Sequence, residues 1–293
     1  MSEMTQKVRK AVIPAAGYGT RFLPATKATP KEMLPVVDKP IIQYVVEGAV
    51  EAGIEEIIFV TSSNKRPLED HFDYNFELEE KLKRAGKDEL YNLIRSISDM
   101  ARFVYVRQKE ARGTGHAVMA AKDLIGDEPF LVLYGDEFMT ATPGAATQMV
   151  ELFNQVQSPI VTVMENDNPE DASKYGYVKA SAENGHQRVT QVVEKPGPEN
   201  RPSNLACVGG YVLTPAIFSY IEGLPQTKPE IYLSEAFNSL ATEKSAYACV
   251  LHDATYYDSG SKFGFIKANI DLGLKHPETK EPLLEYLQSL RDA

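Results

Sequence analysis

Five short runs of apolar, mostly β-branched or aromatic residues, separated by segments of helical periodicity, constrain this chain more than any other feature. Residues 11–13, 57–60, 103–106, 130–133 and 160–163 are continuous rather than alternating, which predicts strands buried on both faces and hence a parallel sheet covered by helices. Between the first two runs Ile41, Ile42, Val45, Val46, Ala49 and Val50 recur at helical spacing, with Pro40 suited to the first turn and Gly53 to the stop. That is one βαβ unit. Residues 65–100 are charge-rich and helical in pattern, longer than a minimal crossover requires, and predict a helical insertion.

Past residue 165 the texture changes to alternating stretches around 177–180, 189–194 and 207–213, broken by Gly, Pro and Asn. Helical patterns return at 214–222, 232–243, 261–275 and 279–291. In the last of these Leu283, Leu284, Leu287 and Leu290 form an amphipathic stripe that can pack on the body or on a partner. The expectation is one α/β domain over residues 1–293, with a Rossmann-like mixed, mostly parallel sheet flanked by helices. Within it, residues 1–165 and a smaller mixed-sheet half, 166–275, precede a helical tail, 276–293. A chain of 293 residues can bury roughly three quarters of its unfolded surface and needs neither disulfides nor a structural metal to build a core.

Charge and cysteine usage remove several function classes. Acidic residues outnumber basic ones 41 to 31, a formal charge of -10, which argues against coating nucleic acid or an anionic membrane. Cys207 and Cys249 form no C-x-x-C pair, and the five histidines show no zinc spacing. The opening ten residues are polar and charged rather than an apolar signal core, and no apolar run approaches the ~18 residues of a membrane span. A cytoplasmic location is expected.

The first strand runs into Ala15, Ala16, Gly17, Tyr18, Gly19, Thr20 and Arg21, where glycines let backbone N–H groups approach a phosphate. It is neither a dinucleotide fingerprint, whose sixth position is here Phe22, nor a Walker loop. From Thr5 to Lys31 stand six basic residues (Lys7, Arg9, Lys10, Arg21, Lys27, Lys31) and no acid, while the rest of the chain carries 25 basic residues against 41 acidic ones. Such asymmetry points to a polyphosphate site; a tight turn with solvated lysines is the plainer reading. The fourth run ends in Tyr134, Gly135, Asp136 and Glu137, placing a carboxylate at the ligand-binding edge of a parallel sheet, where it suits Mg²⁺ shared with phosphates or serves only as a turn acid.

Together these residues resemble the signature of the sugar-1-phosphate nucleotidyltransferases. The resemblance is carried by Gly17-Tyr18-Gly19-Thr20-Arg21-Phe22-Leu23-Pro24-Ala25-Thr26-Lys27 and Pro30-Lys31-Glu32-Met33-Leu34-Pro35. It continues through Asp70-His71-Phe72-Asp73-Tyr74, Arg107-Gln108-Lys109-Glu110, Gly113-Thr114-Gly115-His116-Ala117, Val193-Glu194-Lys195-Pro196 and Tyr257-Asp258-Ser259-Gly260. The blocks span nearly the whole chain, and their combination is similar to the uridylyltransferase branch.

The resemblance implies a nucleotidyltransferase fold and a reaction in which UTP and glucose 1-phosphate give UDP-glucose and pyrophosphate. By that likeness Arg21 and Lys31 hold the β- and γ-phosphates, Lys195 grips the sugar phosphate, and Asp136 and Asp258 ligate Mg²⁺. Gln108 reads uracil with the backbone of Ala15, Ala16 and Gly113, while Gly17, Gly19 and Thr20 belong to the phosphate loop. Glu32 and Gly135 lie near the nucleotide, and Gly176 and Glu194 hold glucose hydroxyls. The family also implies a homo-oligomer, dimer or tetramer. Taken alone, Asp258 reads more readily as a helix N-cap, Gln108 as a solvated strand-end amide, Glu194 and Lys195 as a surface ion pair, and His116 as structural.

Three rival readings stand beside this one. The same chemistry with another sugar 1-phosphate or dTTP keeps every phosphate group. A silent sugar-nucleotide sensor would not need Arg21, Lys31, Asp136, Lys195 and Asp258 together. A nicotinamide oxidoreductase conflicts with Phe22.

Overall fold

The computed structural model describes residues 6–225, 227 and 229–291; the end of the expected tail, Asp292 and Ala293, lies outside them. Strand β1 (Lys10–Pro14) leads through three single 3-10 turns and a small hairpin, β2 (Pro35–Val36) with β3 (Lys39–Pro40), into helix α1 (Ile41–Glu51). β4 (Glu56–Thr61) follows, and the expected insertion is three helices, α2 (Arg66–Phe72), α3 (Phe76–Arg84) and α4 (Asp88–Ser98), before β5 (Arg102–Arg107). Next come α5 (Gly113–Met119), α6 (Lys122–Ile125), β6 (Phe130–Leu133), β7 (Phe138–Thr140), α7 (Ala145–Val156) and β8 (Ile160–Glu165). The remainder comprises β9 (Tyr177–Glu183), β10 (His186–Val193), β11 (Leu205–Leu213), α8 (Ile217–Gly223), α9 (Leu233–Glu243), β12 (Tyr247–Val250), β13 (Thr255–Tyr257), α10 (Lys262–Gly273) and α11 (Lys280–Arg291).

Nine strands form one sheet in the order β5-β4-β1-β6-β11-β8-β12-β10-β9. Four of the five expected strands, β5, β4, β1 and β6, are parallel neighbours. The fifth, β8, is not beside them, because β11 inserts antiparallel between β6 and β8. The long apolar run of β11 is buried from Tyr211 to Leu213 and needs a partner on each side. Nor is β5 buried on both faces: it is the sheet edge, and Tyr105 stays 36% exposed.

Adjacent residues of a strand point to opposite faces, so each buried strand serves two cores. Ile13 and Phe59 pack with Ile42, Val46 and Phe153 under α1 and α7. Val12 and Ile58 pack with Val118, Phe237 and Leu240 under α5 and α9. On α11, Leu284 and Leu290 are exposed. Among the described residues no helix is long and apolar enough to cross a membrane.

Candidate active site

The strands β1, β4, β5 and β6 run parallel, so the loops leaving them open at one edge, and the predicted site residues of the first half follow from the loops after β1, β5 and β6. After β1 the Ala15 N–H donates to the Val60 carbonyl at 2.9 Å, which commits that N–H to the sheet. Ala16 is also buried, whereas Gly17 and Thr20 are exposed. Gly19 turns the loop with φ 66, and a Cβ there would lie 3.1 Å from Lys31 Cβ and 3.3 Å from Thr26 Cγ2. Glycine thus lets the loop close over the segment that carries Lys31. The Thr26 hydroxyl clamps the turn by donating to the Gly19 carbonyl at 2.7 Å.

Lys31 reaches back beneath this loop to Asp136, Nζ to Oδ2 at 2.5 Å, while Arg21 Nη2 stands 3.7 Å from the same oxygen. Burial opposes both charges, but the attraction between them prevails. The Asp136 carboxyl is held below its ordinary range by Lys31, and the Lys31 ammonium is raised by Asp136. Asp258 arrives from β13, whose pairing with β7 sets it beside the Asp136–Glu137 turn. A Cβ on Gly260 would lie 2.7 Å from Asp136 Oδ2, 2.8 Å from Arg21 Nη2 and 3.2 Å from Asp258 Oδ1. Glycine therefore leaves open the point on which two carboxylates and a guanidinium converge.

Hard oxygen donors around such an opening fit Mg²⁺, which takes few protein ligands and completes its shell with water and phosphate. Among the described residues no group of three or more histidine, cysteine or acidic side chains is arranged for a metal. Two carboxylates shared with a substrate are what the site offers. Asp258 is not the helix cap: Ser261 caps α10, its Oγ accepting from the Gly264 N–H, and Asp258 Oδ1 accepts from the Gly260 N–H at 3.1 Å. Glu137 faces the same cleft, bonded to the Tyr256 hydroxyl. Burial, helped by Asp136 and Asp258, pushes its carboxyl up to about 8.

The far wall comes from the second half of the chain. Glu194 Oε2 accepts from the Ser234 hydroxyl at 2.7 Å, and Gly176 passes so close that a Cβ there would sit 3.3 Å from the same oxygen. Lys195 has φ 44, a left-handed backbone that costs a non-glycine residue on the order of 1–2 kcal/mol. Such strain concentrates at functional sites. Its Nζ lies 3.6 Å from Glu194 Oε1 and 5.2 Å from the Tyr232 ring centroid, and the side chain lines the cleft while staying 46% exposed to solvent. The cleft encloses about 830 Å³, and Arg21, Asp136, Gly176, Glu194, Lys195 and Asp258 all line it.

Other predicted residues sit behind or beside it. Glu32 is nearly inaccessible and pairs with Lys65, Oε2 to Nζ at 2.7 Å, both side chains 1% exposed. It forms a floor under the loop instead of a wall of the cleft. Burial raises the Glu32 carboxyl and lowers the Lys65 ammonium, against their mutual attraction. Gly135 is where the strand end passes this floor: a Cβ would lie 3.3 Å from Glu32 Cγ and 3.4 Å from the Pro14 carbonyl oxygen. Gln108 is buried, not solvated, and bonds to the Gly113 carbonyl and to His116. Gly113, with φ 88, lets the chain pass against the backbone of Ile231.

Sequence reasoning missed Lys65, Ser234 and the tyrosines Tyr134, Tyr211, Tyr232 and Tyr256 that line the cleft. The run Tyr256, Tyr257, Asp258 offered a signal, and Tyr134 and Tyr211 stand at the end of and within strand runs where an aromatic is ordinary. Lys65, Tyr232 and Ser234 stand just before or at helix starts, where the local pattern gives no hint.

The nucleotidyl transferase family profile matches residues 10–273. Among curated proteins, the UTP–glucose-1-phosphate uridylyltransferase YngB of Bacillus subtilis is 47% identical over 289 residues, covering 98% of this chain and 97% of its own. The UTP–glucose-1-phosphate uridylyltransferase of Streptococcus pneumoniae is likewise 47% identical over 294 residues, with 98% and 97% covered. Among solved structures, a UDP-glucose pyrophosphorylase complexed with UDP-glucose superposes with TM-score 0.82 at 42% identity, covering 92% of this chain and 100% of that one. The UTP-bound enzyme from Acinetobacter baumannii gives 0.86 at 38% identity, with 97% and 98% covered.

Proposed function

Because this chain belongs to the nucleotidyl transferase family, we propose that it joins UTP to α-D-glucose 1-phosphate, forming UDP-glucose and releasing pyrophosphate. The observation that carries this reading is the single cleft on which Arg21, Asp136 and Asp258 converge from one side and Glu194 and Lys195 from the other. A nucleotide half, residues 1–165, and a sugar-phosphate half, residues 166–275, which lends Asp258 to the nucleotide side, then meet at the bond being made. The relatives named above act on, or are seen with, these compounds.

The attacking group is a phosphate oxygen, already anionic near neutral pH, so no side chain has to remove a proton. The protein's task is alignment and neutralisation of charge. Arg21 and Lys31 hold the β- and γ-phosphates and stabilise the departing pyrophosphate, over a loop formed by Gly17, Gly19 and Thr20. Lys195 holds the sugar phosphate as a point charge. Glu194 and the open face of Gly176 receive the sugar hydroxyls, with Ser234 fixing the Glu194 carboxylate. Gln108 and Gly113, with Ala15 and Ala16, form the base end, and Glu32 and Gly135 support it from below. Asp136 and Asp258 would hold Mg²⁺, which when bound neutralises phosphate charge that Arg21 and Lys31 leave uncompensated.

Two further parts of the proposal concern setting. Both cysteines, Cys207 and Cys249, are unpaired, which suits a reducing cytoplasm. The exposed Leu284 and Leu290 of α11 suit a homo-oligomer, dimer or tetramer, and light scattering at micromolar concentration should give a mass above that of one chain. The test of function is pyrophosphate release over UTP, dTTP, CTP, GTP and ATP against glucose, galactose and N-acetylglucosamine 1-phosphates. UTP with glucose 1-phosphate should have the highest kcat/KM. Another best pair reassigns the substrate, and binding without pyrophosphate makes the protein a sensor.

A further inference from the structure

Gln108 leaves β5 and turns its side chain into the start of α5. Its Nε2 lies 3.3 Å from the Gly113 carbonyl oxygen and 2.9 Å from His116 Nδ1. The carbonyl can only accept, so it selects the orientation in which the amide nitrogen faces it; the reverse would set two acceptors together. An amide nitrogen can only donate. His116 Nδ1 is therefore the acceptor, and the imidazole proton sits on Nε2.

Both N–H bonds of the Gln108 amide are thus engaged inside the protein. Its Oε1 has no hydrogen-bond partner among the described residues and is not among their fully enclosed unpartnered atoms, so it keeps a small accessible surface although the residue is 7% exposed. The Gly113 contact alone, at the long end of the hydrogen-bond range, would not hold the amide against a half-turn. The shorter bond to His116 does.

We propose that His116 is a positioning residue that locks the Gln108 amide with its oxygen toward the nucleotide, making the site selective for a 4-oxo pyrimidine over a 4-amino one. This rests on the nucleotidyl-transfer reading above and specifies its base selection. An outward acceptor matches the N3–H of uracil. Cytosine, the 4-amino pyrimidine, offers a lone pair at N3 in place of that N–H, so it meets acceptor with acceptor. The same edge is shared by thymine, so this device separates UTP from CTP and leaves the 5-methyl group unread.

The test pairs calorimetric binding of UTP and CTP with steady-state kinetics for the wild type, His116→Leu, His116→Gln, Gln108→Leu and the double variant. The wild type should bind UTP at least about tenfold more tightly than CTP. In His116→Leu that preference should shrink toward that of Gln108→Leu, KM for UTP should rise about tenfold, and kcat should change little. His116→Gln, which again presents an acceptor, should regain most of the preference. The double variant should be no worse than Gln108→Leu alone, because the histidine acts only through the amide. Where His116→Leu yields no folded protein, His116→Ala gives the same reading. An unchanged UTP-to-CTP ratio in the folded His116 variant overturns the positioning role and leaves the activity standing. A wild type that binds neither nucleotide overturns the activity itself.

Discussion

Lys31 Nζ lies 2.5 Å from Asp136 Oδ2, joining a loop lysine to a strand-end carboxylate 105 positions away. Both belong to the machinery proposed for catalysis, and in the protein alone each is the other's counter-ion. Phosphates that draw on Lys31 and a cation that draws on Asp136 would separate a pair that burial has already made costly. The cleft thus holds both charges before any ligand enters it.

Asp136→Asn should remain folded, because the amide keeps the shape and can still accept, and should lose turnover by about a hundredfold or more. EDTA should abolish wild-type activity and excess Mg²⁺ should restore it. Thermal melting alongside pyrophosphate release checks both. Full activity after exhaustive chelation, or an unimpaired Asp136→Asn, would exclude the metal assignment.

Lys195→Ala should lower kcat by about a hundredfold, since a phosphate contact that strengthens in the transition state is worth ~3 kcal/mol. Arg21→Ala should behave alike. Near-normal kcat in both would remove their charge-neutralising roles, and a rise in KM alone would mean that substrate and transition state are held equally.

The Glu32–Lys65 pair predicts a stability effect distinct from catalysis. Lys65→Met leaves a buried carboxylate unpaired and should destabilise the protein by about 3–5 kcal/mol, read from denaturant unfolding. The double variant Glu32→Leu with Lys65→Met should recover much of that loss. A Lys65→Met protein as stable as the wild type would mean that the carboxyl is protonated and the pair contributes little.

His71 predicts a pH dependence. Its Nε2 lies 3.0 Å from Gln43 Oε1, and burial holds its protonation below the ordinary value of 6.5. The unfolded chain then takes up the proton first as pH falls, so stability due to this group is full above about 6.5 and declines below it. Relative to His71→Gln, whose amide can donate the same bond, the wild type should lose melting temperature between pH 7 and pH 5. Parallel curves would show that the imidazole is as free to charge in the fold as in the unfolded chain.

Burial pattern and turn chemistry are local properties, so the sequence alone determined the strands β1, β4, β6 and β8, helix α1 and the glycine loop after β1. It also placed Asp136 at a strand end, because a continuous apolar run stops there at Tyr134 and Gly135. Periodicity reports how many faces a strand buries, not which strand lies beside it. The insertion of β11 between β6 and β8, and the edge position of β5, were settled by packing. The same limit applies within the site. Glu32 read only as a residue near the nucleotide and Lys65 carried no signal until the fold sealed them together, and Asp258, taken alone, read as a helix cap until Ser261 took that bond. Lys195 owes its aim to a backbone conformation that neighbours impose and that no residue pattern signals. Side chains far apart in sequence acquire a shared chemistry only when the tertiary structure excludes water between them, because distance and dielectric set the strength of every charge and hydrogen bond involved.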